Sequence, residues 1–116
     1  VRKIAKYIPV KKLANGELKS LELEHDGCSI TIASSFIGGC SFSGSNLFDS
    51  FKKLNTYLQA NGWLPLCNGA RGDVMLSGGL ADVSGGAMLY VDNKEEGYPL
   101  VYIFDTAQES DIKVLA

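Results

Sequence analysis

His25 and Cys28 are the residues best equipped for nucleophilic or metal chemistry in this 116-residue chain, because an imidazole can take a thiol proton and both groups ligate metals. Asp26-Gly27 between them is a two-residue hairpin signal, which would set His25 opposite Cys28, about 5 Å apart at Cβ. Either chemistry requires a third group to orient the base or complete a ligand set, and only Asp26, inside the turn, is close in sequence. A hairpin-end pair without chemistry is therefore the expected reading.

The second chemical signal is glycine. Seven of the thirteen glycines fall between Asn61 and Val91, where the backbone must turn sharply or approach a partner closely. Gly78-Gly79 and Gly85-Gly86 bracket Leu80 to Ser84, yet a phosphate cradle needs glycines that open a helix, with Lys or Ser/Thr placed behind them. That arrangement is not legible here, and the segment reads as tight turns between short strands. Arg71-Gly72-Asp73 spells an integrin tripeptide, but three residues specify little, and a turn at Gly72 flanked by two charges explains them.

Carboxylates recur at Glu22, Glu24, Asp26, Asp73, Asp82, Asp92, Glu95 and Glu96. Glu22 and Glu24 lie two apart and share one strand face, the pattern of a solvated sheet surface. Rows of acids also suit a protein that meets a basic partner, with charge steering the encounter.

These groups need a scaffold, and the first third of the chain supplies one by register. Pairing outward from Asp26-Gly27 sets Leu23 against Ile30 and Leu21 against Ile32. Pairing from Asn15-Gly16 sets Val10 against Leu21 and Ile8 against Leu23. The two turns agree on a three-strand meander that buries Ile8, Val10, Leu21, Leu23, Ile30 and Ile32, with Glu22, Glu24 and Thr31 on the other face. Pro9 suits an edge strand, since it cannot donate to a ladder. Leu13 and Leu18 fall on the polar face, which calls for a bulge or a cover at that end.

The run FIGGCSFSGS reads as a loop leading to an amphipathic helix of about four turns, capped by Ser45 and stopped by Asn61-Gly62. Leu47, Phe48, Phe51, Leu54 and Leu58 form its apolar stripe. Trp63–Cys67, Val74–Leu76, Ala87–Val91 and Leu100–Phe104 read as short strands, and Asp92–Tyr98 as an exposed hairpin connection. The expected fold is a single α+β domain over residues 1–116, a mainly antiparallel sheet of six to seven strands with the helix on one face.

Composition narrows the function classes. An apolar content of 46% suffices for one core, and a net charge of −2 disfavours a sequence-independent grip on phosphates, so no direct nucleic-acid partner is expected. Three widely spaced cysteines without a C-x-x-C pair suit neither a disulfide framework nor a zinc knuckle, and point to reduced thiols in the cytoplasm. No apolar run reaches the ~18 residues of a membrane span, and VRKIAKYIPVKK lacks a signal-peptide core. No cofactor or metal is expected.

The segment Trp63 to Val74, WLPLCNGARGDV, followed by Ser77-Gly78, Gly85-Gly86, Tyr90 and Ile103-Phe104-Asp105, resembles a group of small bacterial proteins carrying W-x-x-L-C-N-G-A-R-x-D-V, then S-G, a glycine cluster, an apolar strand and an I-F-D-like end. The likeness covers about residues 61 to 105. Such proteins look like immunity proteins of bacterial toxin systems, including contact-dependent growth inhibition. The resemblance implies a non-enzymatic protein that neutralises a cognate toxin, a basic nuclease domain, by occluding its active site. Arg71, Asp73, Asp82, Asp92, Glu95 and Glu96, on loops of the C-terminal half, are the expected partner-binding residues. The competing reading is a small hydrolase or nucleotide-binding enzyme that uses the glycine-rich loop 69–86 with His25, Asp73 and Asp82, and it requires those three groups to converge. A third is a homo-oligomeric module joined through its sheet edges.

Overall fold

The computed structural model describes residues 3–115; Val1, Arg2 and Ala116, which the single-domain expectation includes, lie outside the described residues. The chain is α+β, with eight strands in two antiparallel sheets and two helices. Strands β1 (Ile4–Lys12), β2 (Leu18–His25), β3 (Ser29–Ile32), β4 (Cys40–Ser43) and β5 (Trp63–Pro65) form a five-stranded sheet in the order β4-β3-β2-β1-β5. Strands β6 (Val74–Met75), β7 (Met88–Val91) and β8 (Leu100–Tyr102) form a second sheet in that order. Helix α1 (Leu47–Ala60) packs on β3, β4 and β5, and the short helix α2 (Gly78–Ser84) bridges β6 to β7.

The meander forms with its expected core, but both hairpins sit two residues out of the expected register. Leu23 pairs with Ile32 and His25 with Ile30, while Ile8 pairs with Leu21. Turn chemistry explains both shifts. The Asp26 carboxylate accepts the N–H groups of Cys28 and Ser29, at 3.2 and 2.8 Å, so the reversal centres on Gly27-Cys28 rather than Asp26-Gly27. At the first turn Lys12 N–H donates to the Glu17 carbonyl and Gly16 N–H to the Lys12 carbonyl, which makes a four-residue loop. A slip of two keeps every side chain on its face. Ile8, Val10, Leu21, Leu23, Ile30 and Ile32 are accordingly all buried.

Two expectations about strand surroundings change. β1 is not an edge strand, because β5 covers Val10 to Lys12 and Leu66 N–H donates to the Pro9 carbonyl. Pro9 is tolerated because the outward side of that position needs only its carbonyl. Leu13 and Leu18 stay exposed, with neither a bulge nor a cover over them.

The FIGGCSFSGS run contains β4, where its glycines and serines lead one to expect a loop. Hydroxyl pairs Ser29–Ser43 (3.0 Å) and Thr31–Ser41 (2.9 Å) zip its outer face to β3. The cap of α1 is Asn46 rather than Ser45: its side chain accepts the N–H of Asp49, leaving the Leu47, Phe48, Phe51, Leu54 and Leu58 stripe buried as expected. The glycine-rich segment also departs from a plain run of turns. Ser77 caps α2 by accepting the N–H of Leu80, and Gly85 ends it in the left-handed conformation. One strand, β4, and one helix, α2, beyond those the hydrophobic pattern revealed are thus set by local capping and pairing.

The two sheets share one core. Leu89 of β7, with Ile103 and Phe104 just past β8, faces the same interior as the first sheet and α1. Gly69 lies between them with no room for a side chain: a Cβ there would fall 2.8 Å from both Ile103 and the Phe51 ring.

Candidate functional site

The second sheet presents two different faces, and its outward one carries the candidate site. Alternation on β7 sends Leu89 and Val91 inward and Met88 and Tyr90 outward. The register then aligns Met75, Tyr90 and Leu100 side by side, with Met88 beside Tyr102 in the next row. Both methionines therefore share one sheet face with Tyr90 and Leu100, while Tyr102, at the last position of β8, packs against the core edge-on to Phe104, ring centroids 5.8 Å apart. Met75 and Leu100 are 41% and 53% exposed, and Tyr98, just before β8, is 39% exposed. An apolar face of this kind, open to water on a small protein, marks a contact surface. Methionine adapts to a partner's shape, and tyrosine gives large rigid contact area.

The turn from β7 to β8 rims this face with charge. Asn93 accepts the N–H of Glu96 and fixes the short 3-10 turn Lys94–Glu96, leaving Glu95 and Glu96 exposed. Asp92 N–H donates to the Asp73 carbonyl at 2.7 Å, so these two acids sit at the same end of the β6–β7 pair. Residues 72–100 hold five carboxylates and one lysine, a balance of −4, whereas the whole chain carries −2. Positive charge is concentrated on the rest of the chain.

The six expected partner-binding residues thus separate into groups. Asp73, Asp92, Glu95 and Glu96 belong to the strand ends and turn of the β6–β7–β8 sheet, while Asp82 is exposed on a different element, α2. Arg71 is spent internally. Its Nε and Nη2 donate to the two Asp73 carboxylate oxygens at 2.8 and 2.9 Å, and Nη1 lies 3.9 Å from Asp111. The fork holds the Asp73 carboxyl below the usual carboxylate range and fastens the Asp111–Lys113 segment, where Gly72 N–H donates to the Asp111 carbonyl. Arg-Gly-Asp is an internal clip.

The sequence-predicted His25–Cys28 pair does not form. With the turn centred on Gly27-Cys28, Cys28 is exposed at the tip while His25 pairs with Ile30 and points inward onto Phe104, ring centroids 5.2 Å apart. Asp82 stands exposed on α2 and Asp73 is held by Arg71, and none of the principal surface clefts is lined by His25, Asp73 or Asp82. Burial pushes the Cys67 thiol up to about 12, so it behaves as a core residue. Among the described residues, no three His, Cys, Asp or Glu side chains are grouped to hold a metal ion.

His25 instead has a folding role that is open to test. It is 7% exposed, and neither ring nitrogen has a hydrogen-bond partner. Burial lowers its pKa below the ordinary 6.5; Lys6 on β1 adds to the lowering and Asp26 opposes it. The folded pKa lies below the unfolded one, so between the two the unfolded chain binds more protons. This contribution to stability is complete above about pH 6.5 and is lost as pH falls through the lowered folded value. His25→Phe is expected to flatten that pH dependence and leave stability at pH 7 equal or higher, because it removes an unsatisfied buried polar group. Urea midpoints from pH 5 to 8 check it, and an unchanged slope in the variant would reject the assignment.

The apolar outer face escaped the sequence reading, although a signal for it exists. MLYV and LVY are apolar at every position, and a strand buried on one side only should alternate. Among the described residues no helix is long and apolar enough to cross a membrane. A scan of protein-family models and a search of curated proteins return no match to this chain.

Proposed function

We propose that this protein is an immunity-type inhibitor, which captures a basic toxin domain, a nuclease domain in this reading, and covers its active site in the cytoplasm. The observation that carries the proposal is the outward face of β6–β7–β8, an apolar surface rimmed by Asp92, Glu95 and Glu96 within a segment of net charge −4. Apolar centre and charged rim are the usual anatomy of a protein interface. The acids steer a basic domain toward the surface and the apolar face holds it. The resemblance of Trp63 to Val74 to immunity-type proteins supports the same reading.

Co-expression with the toxin domain encoded by the adjacent gene tests it. The expected result is restored growth and a 1:1 complex that weakens as salt rises. Replacing Glu95 and Glu96 together by lysine should slow association by 10-fold or more at low salt. No complex and no protection from growth arrest would overturn the proposal.

A further inference from the structure

Beside Tyr90 the outer face deepens into a cleft of about 460 Å³, lined by Met75, Leu76, Ser77, Tyr90, Gly97 and Tyr98. Its lining is mostly apolar, and it adjoins the 3-10 turn that carries Glu95 and Glu96. Tyr98 is the sole described non-glycine residue with positive φ, at +54°. A bulky side chain is strained there, and the following Pro99 narrows its backbone further. The conformation is enforced from both sides: Tyr98 N–H donates to the Asn93 carbonyl at 3.0 Å, and the Pro99 carbonyl accepts the Val91 N–H at 2.8 Å. Glycine would fit this position without strain, yet a tyrosine stands there as one wall of the cleft.

The free edge of β8 offers a less suitable contact. Pro99 has no N–H to donate just before the strand, and the Asn68 side chain already donates to the Tyr102 carbonyl at 2.9 Å. Recognition therefore falls to the face and its cleft. We infer that the Tyr90–Tyr98 cleft is an anchor pocket for one bulky apolar side chain of a partner segment that carries lysine or arginine beside it. The inference deepens the inhibitor reading, since it names the chemistry of the partner segment, but it rests on the cleft and on the charge complementarity of its rim. A second copy of this chain would bring the same negative rim against itself. A basic partner is attracted instead.

Selection of a random peptide library displayed on phage against the wild-type protein, with Tyr98→Gly as counter-target, tests the pocket. Enriched peptides should pair a bulky apolar residue with Lys or Arg. They should bind Tyr98→Gly at least 10-fold more weakly while that variant melts at the same or a higher temperature, because glycine relieves the strained φ. Glu95→Lys with Glu96→Lys should weaken the same peptides more at low salt than at high salt. Failure to enrich peptides over the counter-target, or equal binding to both proteins, would overturn the pocket. So would a wild-type dimer in solution that Tyr98→Gly disperses, which would assign the face to self-association. The two proposals separate cleanly: pocket-dependent peptides without protection from the toxin reject the inhibitor reading alone, and full protection by Tyr98→Gly rejects the pocket alone.

Discussion

Gly86→Ala is expected to be among the most damaging single substitutions in the chain, lowering stability by about 2–5 kcal/mol. Gly86 has φ +89°, and a Cβ there would stand 2.7 Å from the Phe48 amide nitrogen and 2.9 Å from both the Leu47 nitrogen and the Asn46 side-chain oxygen. The left-handed backbone accounts for about 1–2 kcal/mol, and the overlap with fixed backbone for roughly 1–3 more. These atoms are the first turn of α1, where the Gly85 carbonyl accepts the Leu47 N–H at 2.8 Å and Asn46 caps Asp49. Displacing the contact would uncap the helix and separate the β6–α2–β7 segment from it. Urea unfolding should show a lower midpoint with an unchanged slope, and a loss below about 1 kcal/mol would refute this account. Set against a typical domain stability of about 5–15 kcal/mol, such a loss is a large fraction of the total.

Phe51→Ala should cost about 3–5 kcal/mol, through lost burial and the cavity left behind. Phe51 is fully buried and stands edge-on to Phe104, with centroids 6.1 Å apart at 67°. Its ring also closes over Gly69, where a Cβ would approach to 2.8 Å. Gly69→Ala in the wild type is therefore expected to destabilise by overpacking, yet in the Phe51→Ala background the same methyl enters part of the new space. The double variant should be more stable than the sum of the two losses by about 1 kcal/mol or more. Additive losses in a urea double-mutant cycle would mean that Phe51 and Gly69 are not in the contact described.

The elements that local pattern could reveal are those whose determinants lie within a dozen residues of each other. The alternation of Leu21, Leu23, Ile30 and Ile32 around Asp26-Gly27 places the meander and its buried face, and Asn46 to Gly62 carries the stripe and stop of α1. Register within the meander was legible only modulo two, because side-chain hydrogen bonds from Asp26 and the four-residue loop at Gly16 move each turn without changing which face is buried. β4 and α2 were hidden for a related reason. Cys40–Ser43 has a weak apolar pattern and is held by hydroxyl pairs to β3, and α2 is a seven-residue helix with no fully buried residue that depends on its Ser77 and Gly85 caps.

The candidate site divides along the same line. Composition and order along the chain already place a −4 segment between residues 72 and 100, and the acids at 92, 95 and 96 already belong to an exposed connection. Their meaning depends on contacts across long sequence separations. Arg71 is withdrawn from the surface by Asp73 and Asp111, 2 and 40 residues away, and His25 is separated from Cys28 because the fold buries one against Phe104 and leaves the other at a turn tip. Met75, Tyr90 and Leu100 become neighbours only when three strands pair, and the interior can cover only one side of that sheet. Strand composition shows that both faces are apolar, but which face meets the core and which meets water is settled by how the two sheets and α1 enclose a single interior.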